Sequence, residues 1–243
     1  MLMKSPSSAL LQRLNFHGPM TENALDTLIA LEAKPVKLKK RAKIFGKGED
    51  AHVAILHSGW AAGRYTDGHG RTAITQIFLP GDIIGLSELA VDEPVQDYVM
   101  QTDGAVCLFD RRTYLTLVHR SPELFQRIAV AESLRQAAQL DRLYAIAKRP
   151  AEDRLIDFIL NIRARMNQVH EQDSDRFPIH LSQKEIGDLL GLTDIYVNRL
   201  IRKMQKDGAL EISRPYFRIN TPGEWEDKIG FVDRFRKKAL PAA

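Results

Sequence analysis

The residues whose types and spacing could do chemistry lie between Leu181 and Leu210, in LSQKEIGDLLGLTDIYVNRLIRKMQKDGAL. The chemistry they suit is recognition by hydrogen bonding and charge rather than bond-making. Asp194, Ile195, Asn198, Arg199, Arg202 and Lys203 share one face of a helical repeat, and Val197, Leu200, Ile201 and Met204 recur on the other. From Thr193 to Lys206 four basic side chains stand against one acidic one, a balance that attracts phosphates.

Such a face is useful only if the chain holds it rigidly outward. Ser182 and Glu185 are spaced as a capping box, opening a short helix with Ile186, Leu189 and Leu190 on its apolar face. Gly191 supplies a tight turn, Thr193 can cap the second helix, and Gly208 can end it at positive φ. Leu210–Ser213 and Tyr216–Ile219 flank Arg214-Pro215 and read as a β-hairpin wing. Thr221-Pro222 then opens a last helix, with Lys237-Lys238 near its tail. This is the pattern of a winged helix-turn-helix that places a helix in the DNA major groove. The plainer alternative is a helix pair in an all-α core with a solvated basic face.

The 243 residues allow one large domain or two ordinary ones, and the net charge of +4 favours acidic partners only weakly. A single cysteine excludes an intramolecular disulfide and any multi-cysteine zinc or iron–sulfur site within one chain. No apolar run is long enough to span a membrane and the N-terminus lacks a signal-peptide core, so a cytoplasmic protein is expected.

Residues 7–32 read as helical with a break at Gly18-Pro19. Strands are expected near Ala42–Phe45, His52–Ser58, Trp60–Thr66, Ala73–Leu79, Gln96–Thr102 and Ala105–Phe109, a spacing that predicts a β-sandwich or jelly-roll. The basic run Lys34, Lys37, Lys39, Lys40, Arg41, Lys43 and Lys47 reads as a solvated strand face, the alternative being a partner surface. Residues 122–148 predict one long helix whose apolar side includes Val130, Leu134, Ala138, Leu140, Leu143, Tyr144 and Ala147. Its length suits burial against a twin in a homodimer, the alternative being a helix packed only on its own barrel. Lys148-Arg149-Pro150 breaks it and marks the expected hinge. A further amphipathic helix (Leu155 to Met166), a polar linker from His170 to Arg176 and a strand at Phe177–His180 lead to the helix pair.

The order β-roll, long helix, winged helix-turn-helix resembles the Crp/Fnr family of bacterial transcription regulators. The resemblance covers almost the whole chain and rests on Leu79-Pro-Gly-Asp-Ile-Ile-Gly85, Ala151-Glu-Asp-Arg-Leu155 and Leu181–Leu210. It implies an α+β fold with a cyclic-nucleotide-binding-like β-roll over 1–121, a dimerisation helix over 122–148 and a DNA-binding domain over 149–243. It also implies a homodimer on a two-fold symmetric double-stranded DNA site, with RNA polymerase as partner. The family's groove-reading positions fall on Asp194, Ile195, Asn198 and Arg199. A guanidinium there bridges guanine O6 and N7, a carboxamide pairs with adenine, Asp accepts from cytosine N4 and Ile packs on a thymine methyl. Ser182, Gln183 and Thr193 match phosphate-contacting positions, with Lys184, Arg202, Lys203 and Lys206 as additions.

The sensor departs from the better-known members. Cyclic-nucleotide binders follow the motif glycine with Glu-Leu and later place Arg-Ser. Here Gly85 is followed by Leu86-Ser87, the later positions fall near Pro94-Val95, and no arginine occurs between Arg71 and Arg111. A buried phosphate without a cation is poorly compensated, so tight cyclic-AMP binding is not expected. The oxygen-sensing branch uses a cysteine cluster, whereas Cys107 sits alone in an apolar strand. Haem or another small effector stays open, although His17, His52, His57 and His69 show no distinctive spacing. The expected effector region is Ile84, Gly85, Leu86, Ser87 and Glu88 with Arg64 and Tyr65. No catalytic set or metal-ligand cluster is read, and a cupin-type enzyme lacks its His-x-His pair. An architectural DNA binder with a vestigial sensor, and a protein–protein scaffold, are the remaining alternatives.

Overall fold

A computed structural model describes residues 8–15, 18–50, 52–169 and 175–236. His17, the linker residues His170 to Ser174, and Lys237-Lys238 lie outside the described residues. Two compact units result, one reaching to Ser133 and the other spanning Leu134–Arg236.

The first unit opens with helices α1 (Ala9–Asn15) and α2 (Glu22–Leu31). Strands follow as β1 (Val36–Leu38), β2 (Lys43–Phe45), β3 (His52–Ser58), β4 (Ala61–Thr66), β5 (Thr72–Phe78), β6 (Ile83–Ile84), β7 (Asp97–Met100) and β8 (Gly104–Asp110). They form two antiparallel four-stranded sheets, ordered β1-β8-β3-β6 and β2-β7-β4-β5. Phe45, Phe78, Ile84, Tyr98, Met100 and Val106 form one buried cluster with Ala54 and Leu56 of β3. Val53 and Ile55, on the other face of β3, pack with Leu10, Leu14, Leu28, Leu117 and Leu124 of helices. A strand buried on both faces is apolar without alternation, as Val53-Ala-Ile-Leu56 is.

Helix α3 (Arg111–Arg120) was not expected from the sequence. Asp110 caps it by accepting from Thr113 N at 2.6 Å, while Tyr114 and Leu117 are buried. Strands β1 and β6 were missed as well, being only three and two residues long. The basic run is solvent-exposed as expected, with Lys39 paired to Asp103, and Lys43 to Glu49 and Asp97.

Helix α4 (Pro122–Lys148) has the expected bounds, and the division between the two units falls within it. The second unit adds α5 (Ala151–Asn167), β9 (Arg176–Pro178), α6 (Gln183–Leu190), α7 (Asp194–Lys206), the hairpin β10 (Leu210–Ser213) and β11 (Tyr216–Ile219), and α8 (Pro222–Ile229). The hairpin and β9 form a three-stranded antiparallel sheet. Lys148-Arg149-Pro150, read from sequence as a hinge, forms the turn between α4 and α5 inside this unit. Leu134 and Ala138 of α4 pack with Ala164, Phe231 and Phe235. Asp141 accepts two hydrogen bonds from Arg234, at 2.7 and 2.9 Å, and Arg149 pairs with Asp157 at 3.3 Å. Among the described residues no helix is long and apolar enough to cross a membrane.

One buried cation ties the first unit's helices together. Arg127 of α4 donates to the carbonyls of Leu14, Gly18 and Pro19 at 2.7–2.8 Å and to Glu123 at 3.0 Å. Arg127→Ala leaves those carbonyls without a donor and should cost about 2–4 kcal/mol in denaturant unfolding. Arg127→Lys should recover little of it, because an ammonium cannot reach several acceptors in a planar fork. Full recovery by lysine would show that charge alone matters.

Candidate nucleic-acid interface

The two helices of the 181–210 stretch are terminated as the sequence dictates. Ser182 Oγ accepts from Glu185 N at 3.2 Å, and Glu185 Oε2 accepts from Ser182 N at 2.8 Å, completing the capping box. Gly191 turns the chain at φ 64°, Thr193 Oγ1 accepts from Tyr196 N at 3.2 Å, and Gly208 follows α7 at φ 70°. Ile186, Leu189 and Leu190 on α6 and Val197, Leu200, Ile201 and Met204 on α7 are buried. At Gly187 a Cβ would stand 2.4 Å from Leu192 O, so only glycine admits this approach of the turn to α6.

The outer face of α7 carries the four expected base-reading residues together. Asp194, Ile195, Asn198 and Arg199 line one recess with Arg202 and Gln183. Ile195 is 79% exposed, an apolar side chain left in water at the tip of the helix. The Arg199 guanidinium lies over the Tyr196 ring, 4.3 Å from its centre, which restrains a long side chain in a defined direction. Asn198 Nδ2 donates to Gln183 Oε1 at 2.8 Å.

The expected phosphate set divides. Lys184, Arg202, Lys206 and Thr193 are exposed. The Ser182 hydroxyl donates within its own capping box, to Glu185 at 2.9 Å. Lys203 is drawn to α5, with Nζ 2.7 Å from Glu152 Oε2, and Lys228 holds the other oxygen at 2.7 Å. Hydrogen bonds from these two lysines keep the Glu152 carboxyl below the usual carboxylate range. The sequence reading did not single out the wing for contact. There Arg176 lies 4.5 Å from the Tyr216 ring centre, beside Arg218 and Ser213 in a second recess. The aromatic pair followed by an arginine in Tyr216-Phe-Arg218 was the available signal.

In the roll, Ile84, Gly85, Leu86, Ser87 and Glu88 form a strand end and a tight 3-10 turn. At Gly85 (φ 91°) a Cβ would meet His52 O at 2.3 Å, which explains the motif's glycine. Glu88 is 3% exposed, and among the described residues neither carboxylate oxygen has a hydrogen-bond partner of good geometry. Burial pushes its pKa up, offset only in part by Tyr98, Val95 N and Gln96 nearby. Gln96 Nε2 donates to the buried Tyr98 hydroxyl at 3.2 Å, and Thr75 donates to Gln96 Oε1 at 2.6 Å. Gln96, just before β7, and Tyr98 within it were not anticipated as its neighbours. Tyr65 is exposed with Lys47 5.2 Å from its ring centre, and Arg64 precedes it on β4.

The histidines are dispersed. His52 Nδ1 is 2.7 Å from Asp50 O, His57 lies 3.6 Å from Glu32, and His69 sits in the Asp67–Arg71 turn. Among the described residues no group of three His, Cys, Asp or Glu could hold a metal ion. Cys107 is buried, and burial followed by the Glu32 charge pushes its thiol up to about 11.

Capped helix pair, glycine turn, outward basic helix and β-wing define a winged helix-turn-helix DNA-binding domain, here carried with a β-roll. The sequence model of the Crp-like helix-turn-helix domain matches residues 153–224, and that of the cyclic nucleotide-binding domain matches residues 35–121. The chain belongs to the Crp/Fnr family of transcription regulators. It is 27% identical to the transcriptional regulatory protein btr of Bordetella pertussis, over 89% of this chain and 90% of that protein. It is 24% identical to the fumarate and nitrate reduction regulatory protein of Vibrio cholerae, over 87% and 84%. The structure of FixK2 from Bradyrhizobium japonicum shares the fold at a TM-score of 0.68 and 19% identity, covering 86% of this chain and 98% of that one.

The buried acid of the roll yields a pH test. Because the Glu88 pKa is raised on folding, its contribution is fully present below the ordinary value of 4.5 and is lost as pH rises through the folded value. Glu88→Gln should therefore melt higher than the parent at pH 7.5, with the difference closing toward pH 4. A gap constant from pH 4 to 8 would exclude buried charge as its cause.

Proposed function

We propose that this regulator acts as a cytoplasmic homodimer on a two-fold symmetric DNA site, with RNA polymerase as its protein partner. The observation that carries the DNA reading is the single recess shared by Asp194, Ile195, Asn198 and Arg199 on the outer face of α7. The dimer reading rests on α4, where Leu140, Leu143 and Tyr144 are 62%, 61% and 59% exposed at helical spacing. A twin helix laid on that stripe would remove it from water, and two reading helices would then meet two half-sites.

The roll is proposed to respond to a signal other than cyclic AMP or an iron–sulfur cluster. An anionic phosphate would meet the buried Glu88 acid rather than an arginine, and Cys107 is the only cysteine. Haem or another small effector is compatible with this reading, and no catalytic role is assigned. A second reading, regulation without an effector, draws support from the roll's own core. Phe45 and Phe78 pack on Tyr98 with ring centres 4.8 and 5.7 Å away, and all three are buried.

Selection from a randomised duplex pool by the purified protein should enrich a two-fold symmetric site. Arg199→Ala should cost about 1–3 kcal/mol at one base position of each half-site. Equal losses on the selected and a scrambled duplex would refute its base-reading role. Leu140→Glu with Leu143→Glu should turn a dimer into a monomer by light scattering and lower affinity for the full site more than for a half-site. A dimer that survives both changes would place the interface elsewhere. Micromolar cyclic-AMP binding by calorimetry would overturn the reading of the roll.

A further inference from the structure

We infer that Gln183 is a positioning residue that sets the base preference of Asn198, and that it is not a phosphate anchor. The inference rests on the base-reading role proposed for Asn198. Gln183 is the first residue of α6 and Asn198 lies in the second turn of α7, so their contact joins the two helices. The Asn198 Nδ2 to Gln183 Oε1 bond is 2.8 Å long and partly shielded from water. Gln183 also lines the recess of the reading residues, beside Asp194, Ile195 and Arg199.

The chemistry of a carboxamide makes this contact consequential. An unrestrained asparagine can turn its amide over and exchange donor for acceptor, presenting either edge to a base. Adenine shows an N6 donor beside an N7 acceptor, whereas guanine shows two acceptors, N7 and O6. With its nitrogen bound to Gln183, Asn198 keeps Oδ1 and one Nδ2 hydrogen for DNA, the pair adenine requires. Turning the Asn198 amide over alone would set Oδ1 against Gln183 Oε1, so the exchange requires both carboxamides to turn together, a concerted step that a glutamate at 183, which only accepts, would forbid. A glutamine facing a phosphate would act through its own amide hydrogens and would leave Asn198 unrestrained.

Glutamate separates the two roles, because it accepts hydrogen bonds and cannot donate them. Selection profiles and salt dependence would be measured for the full-length protein, Gln183→Ala and Gln183→Glu. Discrimination at the base facing Asn198 should fall about tenfold in Gln183→Ala. Gln183→Glu should keep the parental preference at that base, even with weaker overall binding. The slope of log affinity against log salt should be unchanged in Gln183→Ala. Parental preference in Gln183→Ala, with uniformly weaker binding and a shallower salt slope, would assign Gln183 to a phosphate and overturn the inference. Loss of the preference in Gln183→Glu as much as in Gln183→Ala would overturn it too. A parental protein that enriches no site at all would instead remove the base-reading role on which the inference rests. Melting curves for both variants check that α6 stays folded.

Discussion

The reading face depends on how closely the turn after α6 passes over that helix at Gly187. Leu192 N donates to Gly187 O at 2.9 Å, and Leu192 O lies where any side chain at 187 would begin. This backbone contact fixes where α7 starts and brings Gln183 within hydrogen-bond distance of Asn198. A wider crossing would keep two well-formed helices and lose their shared edge. Burial of Leu189, Leu190, Val197 and Ile201 then holds the arrangement from the inner side.

Polar contacts on this unit work mainly by restraint. Tyr196 lies against Arg199 and Gln183 bonds to Asn198, so side chains proposed to meet DNA are partly ordered beforehand. The wing repeats the device, with Arg176 against Tyr216. In the roll, by contrast, Glu88 is buried beside Tyr98 and Gln96 with no well-formed hydrogen bond among the described residues. An acid held that way costs stability, and natural folds tolerate such costs mostly where a site is needed.

Elements with a strong local signal were legible in the sequence. The 3.6-residue period and caps placed α6 and α7, Pro122 and Pro150 bounded α4, and Arg214-Pro215 marked the wing. Helix α3 was not, because Arg111-Arg-Thr-Tyr-Leu-Thr-Leu-Val-His-Arg120 is rich in residues that also suit a strand. Strand β6 exists only by pairing with β3, a partner far along the chain. Periodicity sorted residues onto faces and so grouped Asp194, Ile195, Asn198 and Arg199 correctly. It carries no information on register between helices, so the bond from Asn198 to Gln183 and the diversion of Lys203 to Glu152 had to be seen. Spacing also carried no sign of the Arg149–Asp157 ion pair that spans the turn at Lys148–Pro150.

That corner bears on how motion would travel. A domain hung from one strand of backbone can swivel on it, and a twist applied upstream is lost as slack. Here the chain leaves α4 through Arg149 and, after α8, returns to the same helix, where Phe235 packs beside Ala138 and Arg234 grips Asp141. The attachment is thus a loop closed at two points, and a loop of that kind resists torsion. Within the second unit, the last turns of α4 are therefore clasped from both sides, by α5 across the Arg149 corner and by the segment after α8.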